Sequence, residues 1–498
     1  MTRAVSRRFF LSGLVGAGLA GPALANAPSV SLRPQARLVG AAKRAMGGPE
    51  SLLANSGLSG TISIAVADVK SGALLEGVNA TSGQPPASVS KAITALYALD
   101  ALGAEHRFHT RLIADGPVQN GVLRGDLYLA GGGDPTLDTD GLALLAARLK
   151  EAGVREVQGA FRVYDGALPY IRSIDPGQPD HVGYSPAVSG IALNFNRVYF
   201  EWKRSGSSYA ISMDARTAKY RPEVQSARMG LADRQLPVYS YAERDGVDEW
   251  SVARGALGQN GGRWLPVRSP GLYAGDVFRT LARSQGIALK AARLSGGLPG
   301  GATVLAQVSS EPLGRILRDM LKWSTNITAE MVGLAATQAR GGSASSLEAS
   351  GRAMSAWAKS SFGMTQISLV DHSGLGDASR MSAQELVQAL VQVRRRGILR
   401  PILKPIPIRD ERGRVQENHP IKVDAKTGTL NFVSGLGGYM TAADGTELAF
   451  AIFAADTDIR ARIKRQDREV PQGARTWNGK ARRLQQQLIQ RWGAMYGG

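Results

Sequence analysis

From Gly60 to Val69 (GTISIAVADV) apolar residues alternate with small or polar ones, and several are β-branched. That two-residue period predicts a half-buried strand, closed by a turn at Lys70-Ser71-Gly72. Beyond Pro85-Pro86-Ala87 the pattern changes. Ser88 to Leu99 (SVSKAITALYAL) is apolar and rich in alanine, which predicts a helix opening at Ser88. Short strand-like pieces alternate with glycine turns from Arg107 to Leu129 and end in Gly131-Gly132-Gly133-Asp134-Pro135. Leu142 to Glu151 predicts a helix. Ala160 to Asp165 and Val198 to Trp202 predict strands on either side of a Pro- and Gly-rich stretch, Asp175 to Gly190. Pro270 to Gly286 ends in another helix. Helical signals then fill Pro312 to Ala336 and Leu347 to Phe362, strands return from Ile421 to Ala455, and Gly479 to Trp492 closes the chain as a basic, Gln-rich helix. Strand and helix, a β-rich middle, helices, then strands and a last helix make an α/β domain interrupted by inserted modules.

A chain of 498 residues exceeds what one core accommodates, so two or three domains are expected. The net charge of +19 favours an anionic partner: a membrane surface, nucleic acid or an acidic wall polymer. The basic residues are spread out and form no nucleic-acid motif, so no nucleic-acid partner is expected. With no cysteine there is no disulfide, thiolate zinc site or cysteine nucleophile. The five histidines form no HExxH pair, which argues against a zinc peptidase; neither metal nor organic cofactor is expected.

A basic start, a mild apolar run from Phe9 to Ala20 and small residues at Ala23-Leu24-Ala25 predict a signal peptide over 1–25. Ser6-Arg7-Arg8-Phe9-Phe10-Leu11 resembles a twin-arginine export signal. Nothing later is long and apolar enough to span a bilayer, so an exported, periplasmic protein is expected, with peripheral membrane contact as an option.

Three motifs carry the chemistry. Ser88-Val89-Ser90-Lys91 opens a helix, Ser324-Thr325-Asn326 sits on a turn before a helix, and Lys426-Thr427-Gly428 lies on a strand followed by Thr429. Residues at i and i+3 share a helix face, so Lys91 can bring its amine to the Ser88 hydroxyl. A serine needs a neighbouring base to become a nucleophile. Lysine serves only if burial or a second cation, such as Lys426, lowers its pKa. Backbone N–H groups of Ser88 and Thr429 can form an oxyanion hole. Ser324 can pass a proton to a leaving amine and Asn326 can hold a substrate amide. Lys426 and Thr427 offer charge and hydroxyl to a terminal carboxylate. Each tripeptide is common by chance; their order and setting on strand and helix are not.

With these motifs the chain resembles the low-molecular-mass class C penicillin-binding proteins, peptidase family S13. The resemblance extends to Arg124-Gly125-Asp126-Leu127-Tyr128-Leu129, Ala192-Leu193-Asn194-Phe195-Asn196, Ala329-Glu330-Met331, Asp371-His372-Ser373-Gly374-Leu375 and Lys426-Thr427-Gly428-Thr429-Leu430. It implies a penicillin-recognising domain over 26–100 and 300–498, interrupted by two inserted β-rich domains, one over 101–165 and 255–299 and the other over 166–254. The long gap between Ser88 and Ser324 fits those insertions. The implied activity is a D-alanyl-D-alanine carboxypeptidase, and also an endopeptidase, acting on peptidoglycan stem peptides and acylated by β-lactams. Catalytic roles fall to Ser88, Lys91, Ser324, Asn326 and Lys426. Thr427, Gly428 and Thr429 are expected to bind substrate, with Asp180, Arg380 and Asn431 as further pocket residues. Thr325 stands where the family usually has Asp, and His372 precedes the Ser-Gly-Leu where Gly is usual. A serine β-lactamase and a catalytically idle wall-binding protein remain alternatives; no ExxLN-like glutamate lies between Asn326 and Lys426 to deacylate a lactam.

Overall fold

The computed structural model describes residues 48–410 and 412–497; the expected signal peptide lies outside them. The central element is a six-stranded antiparallel sheet assembled from both ends of the chain. Its strands are β1 (Thr61–Asp68), β2 (Leu74–Val78), β3 (Lys404–Pro405), β4 (Lys422–Leu430), β5 (Val433–Thr441) and β6 (Glu447–Ala455). They lie in the order β3-β4-β5-β6-β1-β2. The alternation in β1 sorts its side chains between two layers, as a period of two requires. Ile64 and Val66 bury against the closing helix α6 (Ala474–Tyr496) through Leu484, Leu488 and Trp492. That helix is longer than its apolar spacing predicts, and it is packed into the core.

Ala65 and Ala67 face the other layer. It holds α1 (Ser90–Leu102), α2 (Leu313–Trp323), α3 (Asn326–Ala339), α4 (Leu347–Phe362) and α5 (Ala383–Arg394). In α2 only one stripe is apolar, and Leu313, Ile316, Leu317, Met320 and Leu321 are the residues it buries. Ser346 and Ser382 cap α4 and α5 by accepting bonds from the N–H groups of Ala349 and Glu385.

The β-rich middle forms its own sheets. Five strands run in the order Arg293–Leu294, Phe161–Tyr164, Asp126–Gly131, His109–Asp115 and Thr303–Ser309. Two three-stranded sheets follow between 197 and 266. One continuous apolar cluster joins Leu112 and Phe161 of the first part with Phe200 and Trp250 of the second. A smaller cluster, including Leu168, Val188, Met331 and Leu375, ties this region to the helical layer next to α3. Among the described residues no helix is long and apolar enough to cross a membrane.

Candidate active site

Ser88 sits in a single 3-10 turn, Ala87–Val89, that leads directly into α1. The turn is held in a narrow conformation. Ala87 has a φ of +45°, which a side chain rarely adopts outside a site that enforces it. Two glycines paired across β4 and β5, Gly428 and Gly435, let the sheet approach it. A Cβ on Gly428 would fall 2.8 Å from the Pro86 carbonyl oxygen and 3.0 Å from the Ser88 nitrogen. Gly374 closes the third side: a Cβ there would lie 1.9 Å from the Ala87 carbonyl oxygen, and its φ is +73°.

Lys91, one turn along α1, is fully buried. Its Nζ lies 2.9 Å from Ser88 Oγ, 2.8 Å from Asn326 Oδ1 and 2.7 Å from the Ser373 carbonyl oxygen. Two of these partners can only accept, whereas the third is a hydroxyl that can also donate. An ammonium fills this shell with three N–H donors, and a neutral amine fills it with two donors and a lone pair turned to the hydroxyl. Burial lowers the Lys91 pKa to about 8, opposed by Glu330 and Asp371. Burial rather than a second cation is therefore the principal cause.

Those two acids lie beneath the lysine and are themselves fully buried. Glu330, on α3, accepts from the N–H groups of His372 and Ser373, both at 2.9 Å. Asp371 accepts from Gly374 at 2.7 Å and Gly376 at 2.6 Å. Burial pushes Glu330 up to about 8, and it also raises Asp371. Together they fold the 371–376 loop around the lysine. His372 is turned away from the cavity. Its Nε2 lies 2.7 Å from Ser350 Oγ, and its ring fills the space where Gly333 has no side chain. Burial drives its pKa down to about 3, so it is a neutral packing group.

Ser324 ends α2 in the left-handed conformation, φ +60°, and so points back towards β4. Lys426 Nζ donates to its Oγ at 3.0 Å and to the Thr427 carbonyl at 2.6 Å. Lys426 is nearly fully buried and its pKa falls well below the ordinary lysine value, by burial first and then by Lys91 and Lys404. Asn326, at the first turn of α3, uses its Nδ2 on the Tyr184 carbonyl at 3.0 Å. Thr325 makes no capping bond and lines a neighbouring cavity instead.

Ser88, Ser324, Asn326, Thr429 and Asn431 share one cavity of about 310 Å³. Sequence reasoning missed the other half of its wall. Arg460 and Arg468 sit there, both paired with Asp377, together with Glu469, Gln178 and Tyr184. Hydrogen bonding by His181 and pairing with Arg263 hold Glu469 near 2, fully ionised. Asn431 Nδ2 donates to the Arg468 carbonyl at 2.5 Å.

The remaining predicted residues lie apart from Ser88. Asp180 pairs with Arg465 at 2.7 Å in an adjoining cavity that shares Glu469. Arg380 turns onto the carbonyls of Asp377 and Ser379 at 2.7 and 2.8 Å, holding its own loop. Thr427 alternates away from Lys426 and lines a groove on the outer side of β4. Among the described residues no cluster of His, Asp and Glu could hold a metal ion.

The sequence profile of the D-Ala-D-Ala carboxypeptidase 3 (S13) family matches residues 50–471. A D-alanyl-D-alanine carboxypeptidase from an Actinomadura strain is 28% identical over 474 residues, covering 86% of each chain. The crystal structure of penicillin binding protein 4 from Haemophilus influenzae superimposes with a TM-score of 0.69 at 22% identity, over 89% of this chain and 100% of that one. A complex of the same Haemophilus influenzae protein with a novel β-lactam gives 0.66 at 21%, over 89% and 99%.

Proposed function

The chain belongs to the D-Ala-D-Ala carboxypeptidase 3 (S13) family and is a serine-type carboxypeptidase; from that premise we propose that Ser88 is its acylated nucleophile and peptidoglycan stem peptides its substrate. The observation that carries this reading is the shell of Lys91. A buried amine with a pKa near 8, two fixed acceptors and a serine hydroxyl at 2.9 Å is a base aimed at one proton.

Lys91 takes the Ser88 proton as Oγ attacks the carbonyl of the penultimate D-alanine. The developing oxyanion meets the N–H groups of Ser88 and Thr429, the second on the β4 edge laid against the Ser88 turn. Removing one such donor costs roughly 3 kcal/mol. Ser324, bonded to Lys426, hands a proton to the leaving amine. Asn326 binds the substrate amide in exchange for its bond to the Tyr184 carbonyl. Lys426, bonded to Ser324, meets the terminal carboxylate on the leaving side beside Gly428, while Thr427 faces the outer groove. Asn431 and the paired arginines form the opposite wall. Asp180 belongs to the adjoining cavity, and Arg380 acts by holding the 377–379 turn.

Strained lactams carry the same carbonyl and carboxylate, so penicillins should acylate Ser88 and stay. Export by the twin-arginine route to the periplasm follows from the 1–25 segment. The proposed division is a catalytic domain (26–100 and 300–498) with two inserts (101–165 with 255–299, and 166–254). The strand Thr303–Ser309 goes to the first insert, because it pairs with His109–Asp115. Release of D-alanine from a purified pentapeptide tests the function. Wild-type protein should release it and the Ser88→Ala variant should not. A folded wild type that releases none sinks the reading.

A further inference from the structure

A cavity of about 630 Å³ lies against Ser324, Thr325 and Asn326, and Ser88 is not part of its wall. On one side stand α2 and the first turn of α3, with Ile316, Met320 and Trp323 as the apolar surface. Trp323 is 69% exposed, a large apolar side chain left open beside the cavity. On the other side stand Tyr184, Phe195 and Arg197 from the inserted region. The reaction at Ser88 makes no use of Arg197.

The stretch Leu193-Asn194-Phe195-Asn196 aims that second wall. Asn194, Phe195 and Asn196 have φ of +50°, +59° and +49°, a left-handed run that is costly above all for a bulky phenylalanine. Neighbours hold it in place. Asn194 Nδ2 donates to Thr139 Oγ1, Asn196 Nδ2 to the Ala187 carbonyl and the Tyr273 hydroxyl to the Arg197 carbonyl, each at 2.9 Å. The Arg197 guanidinium is thereby set 5.3 Å from the Phe195 ring centroid and 5.4 Å from that of Trp264.

Its charge has no partner. The guanidinium makes no hydrogen bond or ion pair among the described residues, and its Nε is buried. Burial pulls its pKa below the ordinary arginine value, but arginine keeps its charge in proteins. Arg268 and Arg460, the buried arginines among the described residues, are by contrast bonded to carbonyls and to Asp377. A desolvated cation without acceptors carries a cost that two ring contacts offset only in part. Asp319, the acid of the described lining, is exposed on α2 and forms no ion pair with Arg197.

We propose that this cavity is a second ligand site, which takes a planar carboxylate on an apolar body. Arg197 binds the carboxylate through its planar fork, and Trp323, Met320 and Ile316 cover the body. A single unpaired cation, with Asp319 in the same lining, suits one negative charge better than a phosphate dianion. Binding there needs no reaction at Ser88.

Calorimetric titration of the whole protein with 2-naphthoate, against neutral 2-naphthamide, tests the site. The naphthoate should bind one to one and the amide about tenfold more weakly or worse. Arg197→Met should lower naphthoate affinity about tenfold, with penicillin acylation, which reports folding, within about twofold of wild type. Trp323→Ala, a change at an exposed position, should lower it about threefold. Protein already acylated by benzylpenicillin should bind naphthoate within about threefold of the free protein. Equal affinity for the two probes, no binding of either, or undiminished binding in Arg197→Met would overturn the proposal. So would loss of binding on acylation, because the probe would then occupy the catalytic cavity.

Discussion

Replacing Glu330 with Gln removes a buried acid whose charge, in its ionised form, raises the Lys91 pKa against the effect of burial. A unit charge about 5 Å away contributes roughly 3 kcal/mol at an effective dielectric near 20. That corresponds to roughly two pKa units. Asp371 remains, and Glu330 and Lys91 titrate as a pair, so the expected net shift is about one unit. Its sign is fixed: with less negative charge nearby, the ammonium loses its proton at lower pH. The rising limb of acylation set by Lys91 should therefore move towards acid. Glutamine also has a single acceptor oxygen for the N–H groups of His372 and Ser373. One of them is left unpaired at a cost of about 1–3 kcal/mol, so the melting temperature should fall as well. Stopped-flow acylation by a chromogenic cephalosporin on both sides of that limb, alongside a thermal melt, measures both effects. A limb that stays in place or moves to higher pH, in protein that melts cooperatively, would refute the assignment of Lys91 as the base.

Gly374→Ala should abolish acylation and cost about 3 kcal/mol or more, because its Cβ meets the Ala87 carbonyl at 1.9 Å and its φ is positive; acylation rate and denaturant midpoint test this. His372 has a folded pKa near 3 against about 6.5 unfolded. It thus contributes stability that is present above 6.5 and is lost as pH falls towards 3, on the order of 5 kcal/mol in all. In His372→Gln that acid dependence should flatten, as read by denaturation at several pH values; an unchanged slope would contradict it.

Periodicity made much of the architecture readable. The strand around Ile64 and the Ser88 helix could be read locally, because alternation and alanine content act over a few residues. Leu484, Leu488 and Trp492, at four-residue spacing, are the face that α6 turns into the core. Helix boundaries were less legible: the helical signal from Pro312 to Ala336 divides into α2 and α3 at Ser324-Thr325, and α5 carried no signal strong enough to place it. The site divides in the same way. Ser88, Lys91, Ser324, Asn326 and Lys426 occupy short motifs whose spacing carries chemistry. Glu330 and Asp371 lie in stretches that carry the resemblance but assign them no chemistry, and their role depends on tertiary burial beneath Lys91. A lone acid in the apolar run Ile327 to Ala336 was the available signal. Asp180 and Arg380 were expected in the pocket from the resemblance alone. Local partners, Arg465 and the carbonyls of 377 and 379, occupy them instead. Arg460 and Arg468 escaped notice because their position depends on how the loop after β6 folds back over Asn431.

Intact-mass spectrometry after incubation with benzylpenicillin, followed by peptide mapping, tests the central claim most directly. A persistent adduct of one penicilloyl group on the peptide that contains Ser88, absent in Ser88→Ala, is the predicted result. An adduct on another residue, or folded protein that neither retains nor turns over the drug, would contradict the account.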